Sequence, residues 1–524
     1  MKSVPVLIVG GGPVGLAASF LLSRQGVRSL VVERHPGTAI HPKARGINAR
    51  TMEVFRQHGV EDAVRAAGLA PHHTGLIVWT RTLAGEEIER RVPWRARPAS
   101  AMVSPVRNCL CAQDDLEPVL RAYAEQQPLG ELRFSTAFES FEQDDEAVTA
   151  TLDAASGETE QIRAQYMIAA DGAQSRVRRA LGVEMLGQRD VYDSVNILIN
   201  ADLRPWTTHR PAALYFVENP KMRATFLTIN AHDRWGFLVN SLAAYGYTAS
   251  DFTPERSIAL VREAAGVPDL PVRVLGVAPW TASAIVADRY RHGRVFLAGD
   301  AAHEMPPTGG FGMNTGVQDV HNLAWKLALV VQGLANPKLL DSYHDERQPL
   351  GRAITAQALS NAASMGRLDK ESKVTGARPE FLNEQGMIFG ASYSSSAVVP
   401  DGTPPVAVAN PVTDYVPAAR PGGRAPHVWL HQDGGEPVST IDLVGNGFVL
   451  LAGARGQAWQ TAAVGTLPIK SHVIADAAFG PAYGIDDGGA VLVRPDGYVA
   501  WRSATLPADP QAALRAAAQQ ILSP

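Results

Sequence analysis

The feature that most constrains the fold lies near the N-terminus, where residues 4 to 23 carry no charge yet contain several glycines. The apolar, β-branched run Val4 to Val9 is typical of a buried parallel strand, and the spacing over Gly12 to Gly26 is helical. The glycines and Pro13 would break a membrane-spanning helix, and lipid offers the freed backbone groups no partner. A strand, a tight turn and a packed helix therefore explain the segment better than a signal peptide or a membrane anchor.

This turn predicts a nucleotide site, because Val27 to Val32 supplies the second strand of a βαβ unit. In a Gly-x-Gly-x-x-Gly turn the glycines allow the tight turn, close approach of a pyrophosphate and helix–strand packing, and the helix N-terminus favours phosphate. Glu33, 18 residues after the last glycine, is placed to accept hydrogen bonds from both ribose hydroxyls of an adenosine. It would repel a 2′-phosphate, although Arg34 beside it weakens that exclusion. The candidates are Gly10, Gly12, Pro13, Val14, Gly15, Glu33 and Arg34.

Two later strand-like runs also end in a glycine–acid pair, Asp171-Gly172 and Gly299-Asp300. FAD is longer than its adenosine half, and its ribitol and ring need a second set of contacts. Asp300 could bond a ribitol hydroxyl, and the glycines from Gly309 to Gly312 would let the backbone pass close to a flat ring. A helix starting near Asn314 would direct N–H groups at the pyrimidine edge. A single glycine–acid pair would by itself indicate an ordinary strand-to-loop turn.

At this point the chain resembles a family. The segments GGGPVG, AADGAQSRVRRALG and GDAAHEMPPTGGFGMNTGVQDVHNLAWKL are similar to the three motifs of the single-component (class A) FAD-dependent aromatic hydroxylases, of the p-hydroxybenzoate hydroxylase and phenol hydroxylase type. The order and spacing agree over residues 3 to 365. The Pro-rich segment 400–426 and the final domain resemble the longer polyketide (anthracycline and angucycline) hydroxylases, which carry a thioredoxin-like tail.

The resemblance implies further site residues. Arg45 matches an arginine along the flavin pyrophosphate, and Gln113 a glutamine beside the flavin chain. Asp171 and Gly172 match a pair implicated in FAD and NADPH binding, which Arg178 supports. Pro306 and Pro307 match prolines that line the reaction site. The cofactor contacts implied around the third motif are Gly299, Asp300, Pro307, Gly310, Gly312, Met313 and Asn314.

The implied reaction is insertion of one oxygen atom from O2 into an electron-rich ring of a small aromatic substrate, through a C4a-hydroperoxyflavin, with NADPH or NADH as transient co-substrate. A base that removes the phenol proton would help, because a phenolate is the stronger carbon nucleophile. The candidate catalytic residues are Tyr215, which could relay a proton, His303, which follows the Gly299-Asp300 turn, and Pro307. Packing of Tyr215 in the sheet and a structural hydrogen bond at His303 are the alternatives.

Three alternative functions stay open at this point. Baeyer–Villiger oxidation or epoxidation uses the same flavin chemistry with different substrate placement. An NAD-linked dehydrogenase would need only the first nucleotide site, which the stretch Asp300 to Asn314 argues against. A non-catalytic flavin-binding protein would bind FAD without consuming NAD(P)H in the presence of any phenol.

The predicted fold class is α/β: a Rossmann-like FAD-binding domain, an inserted antiparallel substrate sheet and a C-terminal thioredoxin-like domain. The predicted boundaries are 1–180 with 280–375 for the FAD domain, 75–105 with 185–280 for the substrate sheet, 376–426 for an extended arm and 427–524 for the last domain. No cysteine lies beyond Cys111, so the tail cannot exchange disulfides; packing or oligomer contact, for instance in a homodimer, is expected of it.

Composition limits the partners and the compartment. Lys plus Arg total 48 and Asp plus Glu total 52, a balance that predicts no nucleic-acid and no membrane partner. The local run of Arg90, Arg91, Arg95 and Arg97 is interpreted as a solvated segment. Only Cys109 and Cys111 are present, which excludes a disulfide framework and a four-cysteine zinc site. No metal is predicted, and a reducing, cytoplasmic location is expected.

Overall fold

The computed structural model describes residues 2–93, 103–154, 157–365, 380, 382–431, 435–463 and 469–523. Parts of the predicted 75–105 and 376–426 segments lie outside these residues, as do Arg95 and Arg97 of the basic run. The strands are β1 Lys2–Val9, β2 Ser29–Val32, β3 Gly46–Ile47, β4 Ile77–Thr80, β5 Glu87–Arg91, β6 Cys109–Leu110, β7 Gly130–Arg133, β8 Thr136–Gln143, β9 Val148–Ala154, β10 Thr159–Ala169, β11 Met185–Asn200, β12 Leu214–Asn219, β13 Met222–Thr228, β14 Arg234–Asn240, β15 Arg273–Ala287, β16 Arg291–His292, β17 Val295–Leu297, β18 His303–Glu304, β19 Trp429–Leu430, β20 Val438–Ser439, β21 Phe448–Ala452, β22 Ile469–Val473, β23 Ala490–Val493 and β24 Val499–Ser503. The helices are α1 Pro13–Arg24, α2 Ala49–Gln57, α3 Glu61–Ala67, α4 Gln113–Glu125, α5 Arg176–Ala180, α6 Arg204–Thr207, α7 Pro254–Ala265, α8 Gly312–Val331, α9 Asp341–Ser364, α10 Gln385–Phe389, α11 Gln457–Ala463, α12 Phe479–Tyr483 and α13 Pro510–Leu522.

The first sheet has the order β16-β17-β10-β1-β2-β7, and β9 pairs with both β10 and β8 at its side. The strands β17, β10, β1, β2 and β7 run parallel. Helices α1, α4 and α8 pack together beside it, and their apolar faces join the strands in one core. Burial on both faces explains why β1 and β2 are almost uninterrupted apolar runs.

The second sheet has the order β18-β15-β11-β14-β13-β12-β4-β5 and is antiparallel except where β4 pairs with β12. Helix α7 covers one face, where Leu260 and Val261 pack on the inward side chains of β11, β12, β13 and β14. The other face meets the first unit: Asn196 Nδ2 donates to the Pro42 carbonyl oxygen at 2.9 Å. Because β18 follows the Gly299-Asp300 turn directly, that turn is shared by the two sheets.

The C-terminal unit is a four-stranded sheet, β22-β21-β23-β24, with α11 and α13 packed against it. Strands β21 and β22 are parallel, and the other pairs are antiparallel, as the predicted thioredoxin-like fold requires. Its core continues into the first unit, where the rings of Trp325 on α8 and Phe448 on β21 lie 5.5 Å apart. Among the described residues, no helix is both long and apolar enough to cross a membrane.

Two predicted elements differ from the structure. The sequence from Ser439 to Ala452 predicts one strand, but a 3-10 helix occupies Thr440–Leu443 and β21 starts only at Phe448. The side chains of Ser439 and Asp442 form a reciprocal cap that satisfies the first N–H groups of that turn. Local hydrogen bonding therefore prevails over the apolar pattern. Helix α10 also interrupts the arm that was expected to be extended.

Candidate active site

Three motif turns leave the first sheet at one edge. Val9, Ala169 and Leu297 are in register on the adjacent strands β1, β10 and β17. The chain hydrogen-bonds across as these strands end, from Ala170 N–H to Val9 O at 2.8 Å and from Ala298 N–H to Ala169 O at 2.9 Å. The carboxyl edge of a parallel sheet is where α/β proteins bind ligands.

Close approach of the backbone requires glycine at two positions of the first turn, Gly10 and Gly15. A Cβ on Gly10, whose φ is +109°, would lie 2.3 Å from the Ala170 carbonyl oxygen, and one on Gly15 would lie 1.9 Å from the Gly10 oxygen. A Cβ on Gly12 would instead meet nothing within 4 Å. The N–H groups of Val14 and Gly15 have no partner within α1, since they belong to its first turn. Open space beside free N–H donors at a helix N-terminus fits a pyrophosphate.

Glu33 stands at the end of β2 beside that turn. Its Oε2 accepts from Gly11 N–H at 2.8 Å, and its Oε1 accepts from His35 N–H at 2.9 Å. These bonds fix the carboxylate while leaving lone pairs for ribose hydroxyls. Arg34 is exposed and points to no fixed partner among the contacts found in the described residues.

The second and third turns are joined by Arg178. Its guanidinium donates to the carbonyl oxygens of Asp300 and Ala301, each at 3.2 Å, and of Ala173 at 2.6 Å. Asp171 Oδ2 accepts from Arg176 N–H at 2.8 Å. Asp171 Oδ1 is buried without a hydrogen-bond partner, and burial raises the pKa of this carboxyl group. The two turns thus form one unit that retains an unused acceptor.

Asp300 is exposed at the carboxyl edge of the first sheet, where protein groups also crowd its carboxyl group. This crowding raises the pKa of the Asp300 carboxyl group, against the opposing charges of His303, Lys43 and Arg178. Its neighbour Gly299 has φ +61°, and a Cβ there would lie 2.9 Å from Val14 Cγ2. The first and third motifs are therefore in direct contact.

The glycine loop leads into α8. Gly309 and Gly310 have φ values of +110° and +67° and are exposed, as is Pro307, whereas Pro306 is buried. The N–H groups of Gly312, Met313 and Asn314 belong to the first turn of α8 and have no partner within the helix. The Asn314 amide accepts from Asn48 N–H at 2.9 Å and donates to the carbonyl oxygens of Gly46 and Gly310 at 2.8 and 2.7 Å. Asn314 thereby holds β3 beside the helix start.

Gln113 and Arg45 fix the loop that precedes β3. Gln113 Oε1 accepts from Ala44 N–H at 3.2 Å. Arg45 donates to the carbonyl oxygens of Thr228 and Ala213 at 2.8 and 2.7 Å, so it attaches this loop to the second sheet. These two bonds use part of a guanidinium that carries five donors. A pyrophosphate contact for Arg45 stays a prediction.

Two of the predicted catalytic residues do not reach the cleft. Tyr215 is buried on the α7 side of the second sheet; its hydroxyl donates to Arg210 O at 2.8 Å and accepts from Ala212 N–H at 3.0 Å. Burial raises the pKa of Tyr215 to about 12. A period of two places Tyr215 and its neighbours on opposite faces, and the sequence did not reveal which face meets the cofactor. This position supports the packing alternative for Tyr215, and the proton relay stays a prediction.

His303 is fully buried, and its Nε2 lies 2.8 Å from Asp319 Oδ2. Asp319 Oδ1 accepts from Arg347 Nε at 2.8 Å, so His303 belongs to a buried ionic group behind the Gly299-Asp300 turn. This position supports a structural hydrogen bond at His303, the alternative given above, and its catalytic role stays a prediction. Asp319 and Arg347 were not predicted as members of this group. A charged residue at a buried helical position was the available signal for both, and Asp319 lies within the third motif quoted above.

The fold and these turns define an FAD-binding α/β oxidoreductase. Residues 3–358 match the family model described as FAD binding domain, and residues 418–524 match the one described as aromatic-ring hydroxylase, C-terminal. A putative polyketide hydroxylase of Streptomyces halstedii is 42% identical over 95% of this chain and 93% of its own length. A 4-methyl-5-nitrocatechol 5-monooxygenase of a Burkholderia species is 41% identical over 99% and 97%.

The crystal structure of the flavin-dependent monooxygenase PieE with FAD and substrate superposes with a TM-score of 0.91, at 34% identity and 99% coverage of both chains. The chain therefore belongs to the FAD-dependent aromatic-ring hydroxylases. The predicted family, fold class and FAD cofactor are confirmed. It is a monooxygenase that hydroxylates an aromatic substrate with NAD(P)H and O2, as the family does.

Proposed function

We propose that the chain hydroxylates a phenolic ring, with polycyclic polyketides as the leading substrate class. One observation carries the proposal. Three motif turns meet at one edge of the first sheet, and Arg45 attaches the loop beside that edge to the second sheet. A cleft bounded by both sheets can hold a cofactor and an aromatic substrate together. The polyketide hydroxylase among the relatives supports the larger substrate class.

FAD, when bound, supplies the electron transfer and oxygen activation. The chain's own residues bind and orient it. Glu33 would hold the adenosine ribose, the N–H groups after Gly12 the pyrophosphate, and Asp300 a ribitol hydroxyl. The donors at the start of α8 would face the ring. The other proposed contacts are Gly10, Pro13, Val14, Gly15, Arg34, Arg45, Gln113, Asp171, Gly172, Arg178, Gly299, Pro307, Gly310, Gly312, Met313 and Asn314.

Pro307 is proposed to border the reaction space. It is exposed, and its ring presents an apolar edge with no backbone donor, while its carbonyl oxygen accepts from Gly310 N–H at 3.0 Å. Exclusion of water favours the chemistry in this kind of site. Because Tyr215 and His303 point elsewhere, the proposed mechanism assigns neither of them a proton transfer.

The domain boundaries are proposed as predicted from the sequence. They are supported by the two large sheets, which draw their strands from separate stretches of the chain, and by the separate sheet of the last domain. A cytoplasmic location is supported by two free, buried thiols, Cys109 and Cys111. The homodimer stays a prediction, as does the absence of nucleic-acid and membrane partners.

The deciding experiment is a panel of monocyclic phenols and polycyclic phenolic polyketides, each tested for accelerated NADPH and NADH oxidation. Oxygenated product is identified by mass and by NMR, with hydrogen peroxide measured in parallel. We expect a ring-hydroxylated product from a polycyclic member. A lactone or an epoxide would replace hydroxylation by the alternative flavin reactions. Peroxide without product from every member would contradict the proposed substrate class.

A further inference from the structure

The final domain contacts the cofactor edge through a chain of buried polar groups. This series of polar groups starts at the Gly299-Asp300 turn, where Gly299 N–H donates to Asp319 Oδ2 at 3.2 Å. Arg347 Nε donates to Asp319 Oδ1 at 2.8 Å, and Arg347 Nη2 donates to the Thr315 carbonyl oxygen in the first turn of α8 at 3.2 Å. Arg347 therefore contacts α8 at two residues and reaches the Gly299-Asp300 turn through Asp319. Asp319 and Arg347 are at most 1% exposed.

The next contact leaves the FAD-binding unit. Arg347 Nη1 donates to the hydroxyl oxygen of Tyr393, on the arm, at 2.9 Å. The Tyr393 ring lies 4.3 Å from that of Tyr498, next to β24, and Arg494 of the final domain lies 5.3 Å from the Tyr393 ring centre. The backbone continues the connection, because Tyr393 N–H donates to Gly422 O at 2.8 Å.

The connection to β24 is close. Gly422 N–H donates to the Val499 carbonyl oxygen at 2.8 Å. A Cβ on Gly422, whose φ is +90°, would lie 2.1 Å from the Tyr393 carbonyl oxygen. Tyr393 therefore has little freedom to move independently of the final domain.

We propose that Tyr393 is a positioning residue through which the C-terminal domain fixes Arg347, Asp319 and hence the Gly299-Asp300 turn at the flavin end of the site. Tyr393 itself touches neither cofactor nor substrate. Removing its hydroxyl leaves one guanidinium N–H buried without its acceptor, so Arg347 is held only by its bonds to Asp319 and Thr315. The inference rests on the proposed role of Asp300 but not on the identity of the substrate.

The test compares two substitutions in the full-length protein. Tyr393→Phe removes the hydroxyl that accepts from Arg347 and keeps the ring stack. Tyr483→Phe is the matched control: that residue is also a buried tyrosine, in the final domain, and its hydroxyl donates to the Pro426 carbonyl oxygen at 2.8 Å. Each variant loses one buried hydroxyl, but only the hydroxyl of Tyr393 contacts Arg347 and, through it, Asp319.

The first readouts need no substrate. FAD affinity is measured by recovery of flavin fluorescence on dilution, and hydrogen exchange is followed in the peptide 295–305. For Tyr393→Phe we expect the FAD Kd to rise by about threefold or more and exchange in that peptide to accelerate. For Tyr483→Phe we expect both to equal the wild type. With any phenol that is turned over, Tyr393→Phe should also yield less product per NAD(P)H at saturating FAD.

The proposal is overturned if Tyr393→Phe keeps wild-type FAD affinity, exchange and coupling while losing thermal stability as Tyr483→Phe does. If Tyr393→Phe is insoluble, Arg347→Lys takes its place, since it keeps the charge beside Asp319 but cannot bond Tyr393 and Thr315 simultaneously. A wild-type FAD Kd in that variant overturns the proposal equally. Failure of the substrate proposal alone would leave the affinity and exchange results intact.

Discussion

At the cofactor edge, Asp171 and Asp300 carry no ion pair within the described part of the chain, whereas the carboxylates between the body and the C-terminal domain are fully paired. Glu346 is contacted by Arg494 at 2.6 and 2.8 Å and by Lys326 at 2.8 Å. Glu53 accepts from Arg50 at 2.9 Å and from Arg424 at 3.0 Å. Both groups of acids are crowded by protein, but their partners differ.

The pKa shifts follow this difference. Burial raises the pKa of the Asp171 and Asp300 carboxyl groups. Burial acts in the same direction on Glu53 and Glu346, but their adjacent cations outweigh it and lower both pKa values. Acids that hold domains together are satisfied within the protein, while acids at the cofactor edge keep acceptors unused. At the cofactor edge Asp171 Oδ1 is buried without a hydrogen-bond partner, as an acceptor reserved for a ligand would be.

The largest loss of stability is expected where the buried carboxylates Glu346 and Asp496 lose a cation. Arg494→Met leaves the buried Glu346 and Asp496 with Lys326 as the remaining cation, so we expect the free energy of unfolding to fall by about 3–5 kcal/mol. Urea unfolding of the apoprotein measures it. Arg163→Met is the control, since its partners Asp144 and Glu146 are exposed and a loss below about 1 kcal/mol is expected. Equal losses in both variants would contradict the comparison.

On the unpaired side, Asp300→Ala should weaken FAD binding by about 10- to 100-fold, the worth of a hydrogen bond to a charged group. The stability of the apoprotein should hardly change, because Asp300 carries no ion pair among the described residues. Equilibrium dialysis gives the FAD Kd. The Kd of Asp300→Asn, whose amide can still bond a hydroxyl, should lie between those of the wild type and Asp300→Ala. Full flavin retention in Asp300→Ala would refute the assignment of this turn.

His58 is a second buried titratable group without a partner: both of its ring nitrogens lack hydrogen bonds, although it lies away from the cofactor edge. Burial lowers the pKa of His58 to about 3. At neutral pH both folded and unfolded states are uncharged there, but below about pH 6.5 only the unfolded state takes the proton. Stability should therefore fall by about 2.5 kcal/mol between pH 7 and pH 4.5, and His58→Leu should flatten this slope in urea unfolding. An unchanged slope would show that His58 is not the group responsible.

The smallest effect is expected for Tyr215→Phe. Its hydroxyl bonds backbone groups on the far face of the second sheet, so the free energy of unfolding should drop by about 1 kcal/mol. Turnover of the best phenol should stay within about twofold, whereas loss of a general acid or base would cost about 10²- to 10⁴-fold. Steady-state kinetics decides, and a large fall in kcat would restore Tyr215 to the mechanism.

Local patterns predicted much of the fold. The strand, turn and helix around Gly10 to Gly15 and the second strand, which ends at Val32, appear where the apolar runs and the helical spacing place them. The prediction of one strand from Ser439 to Ala452 was wrong, because the cap bonds of Ser439 and Asp442 are short-range and independent of the hydrophobic pattern. The face on which Tyr215 lies could not be predicted for a different reason: alternation identifies two faces without naming the partner of either.

The glycine turns, the acids that follow their strands and the family can be predicted from residue type and from spacing along the chain. The bonds by which Arg178 joins two turns, Arg45 reaches the second sheet and Tyr393 contacts Arg347 become visible only when the elements are packed. Such contacts join residues from about 46 to more than 180 positions apart. Long-range pairing depends on how whole elements pack, and no local period encodes it.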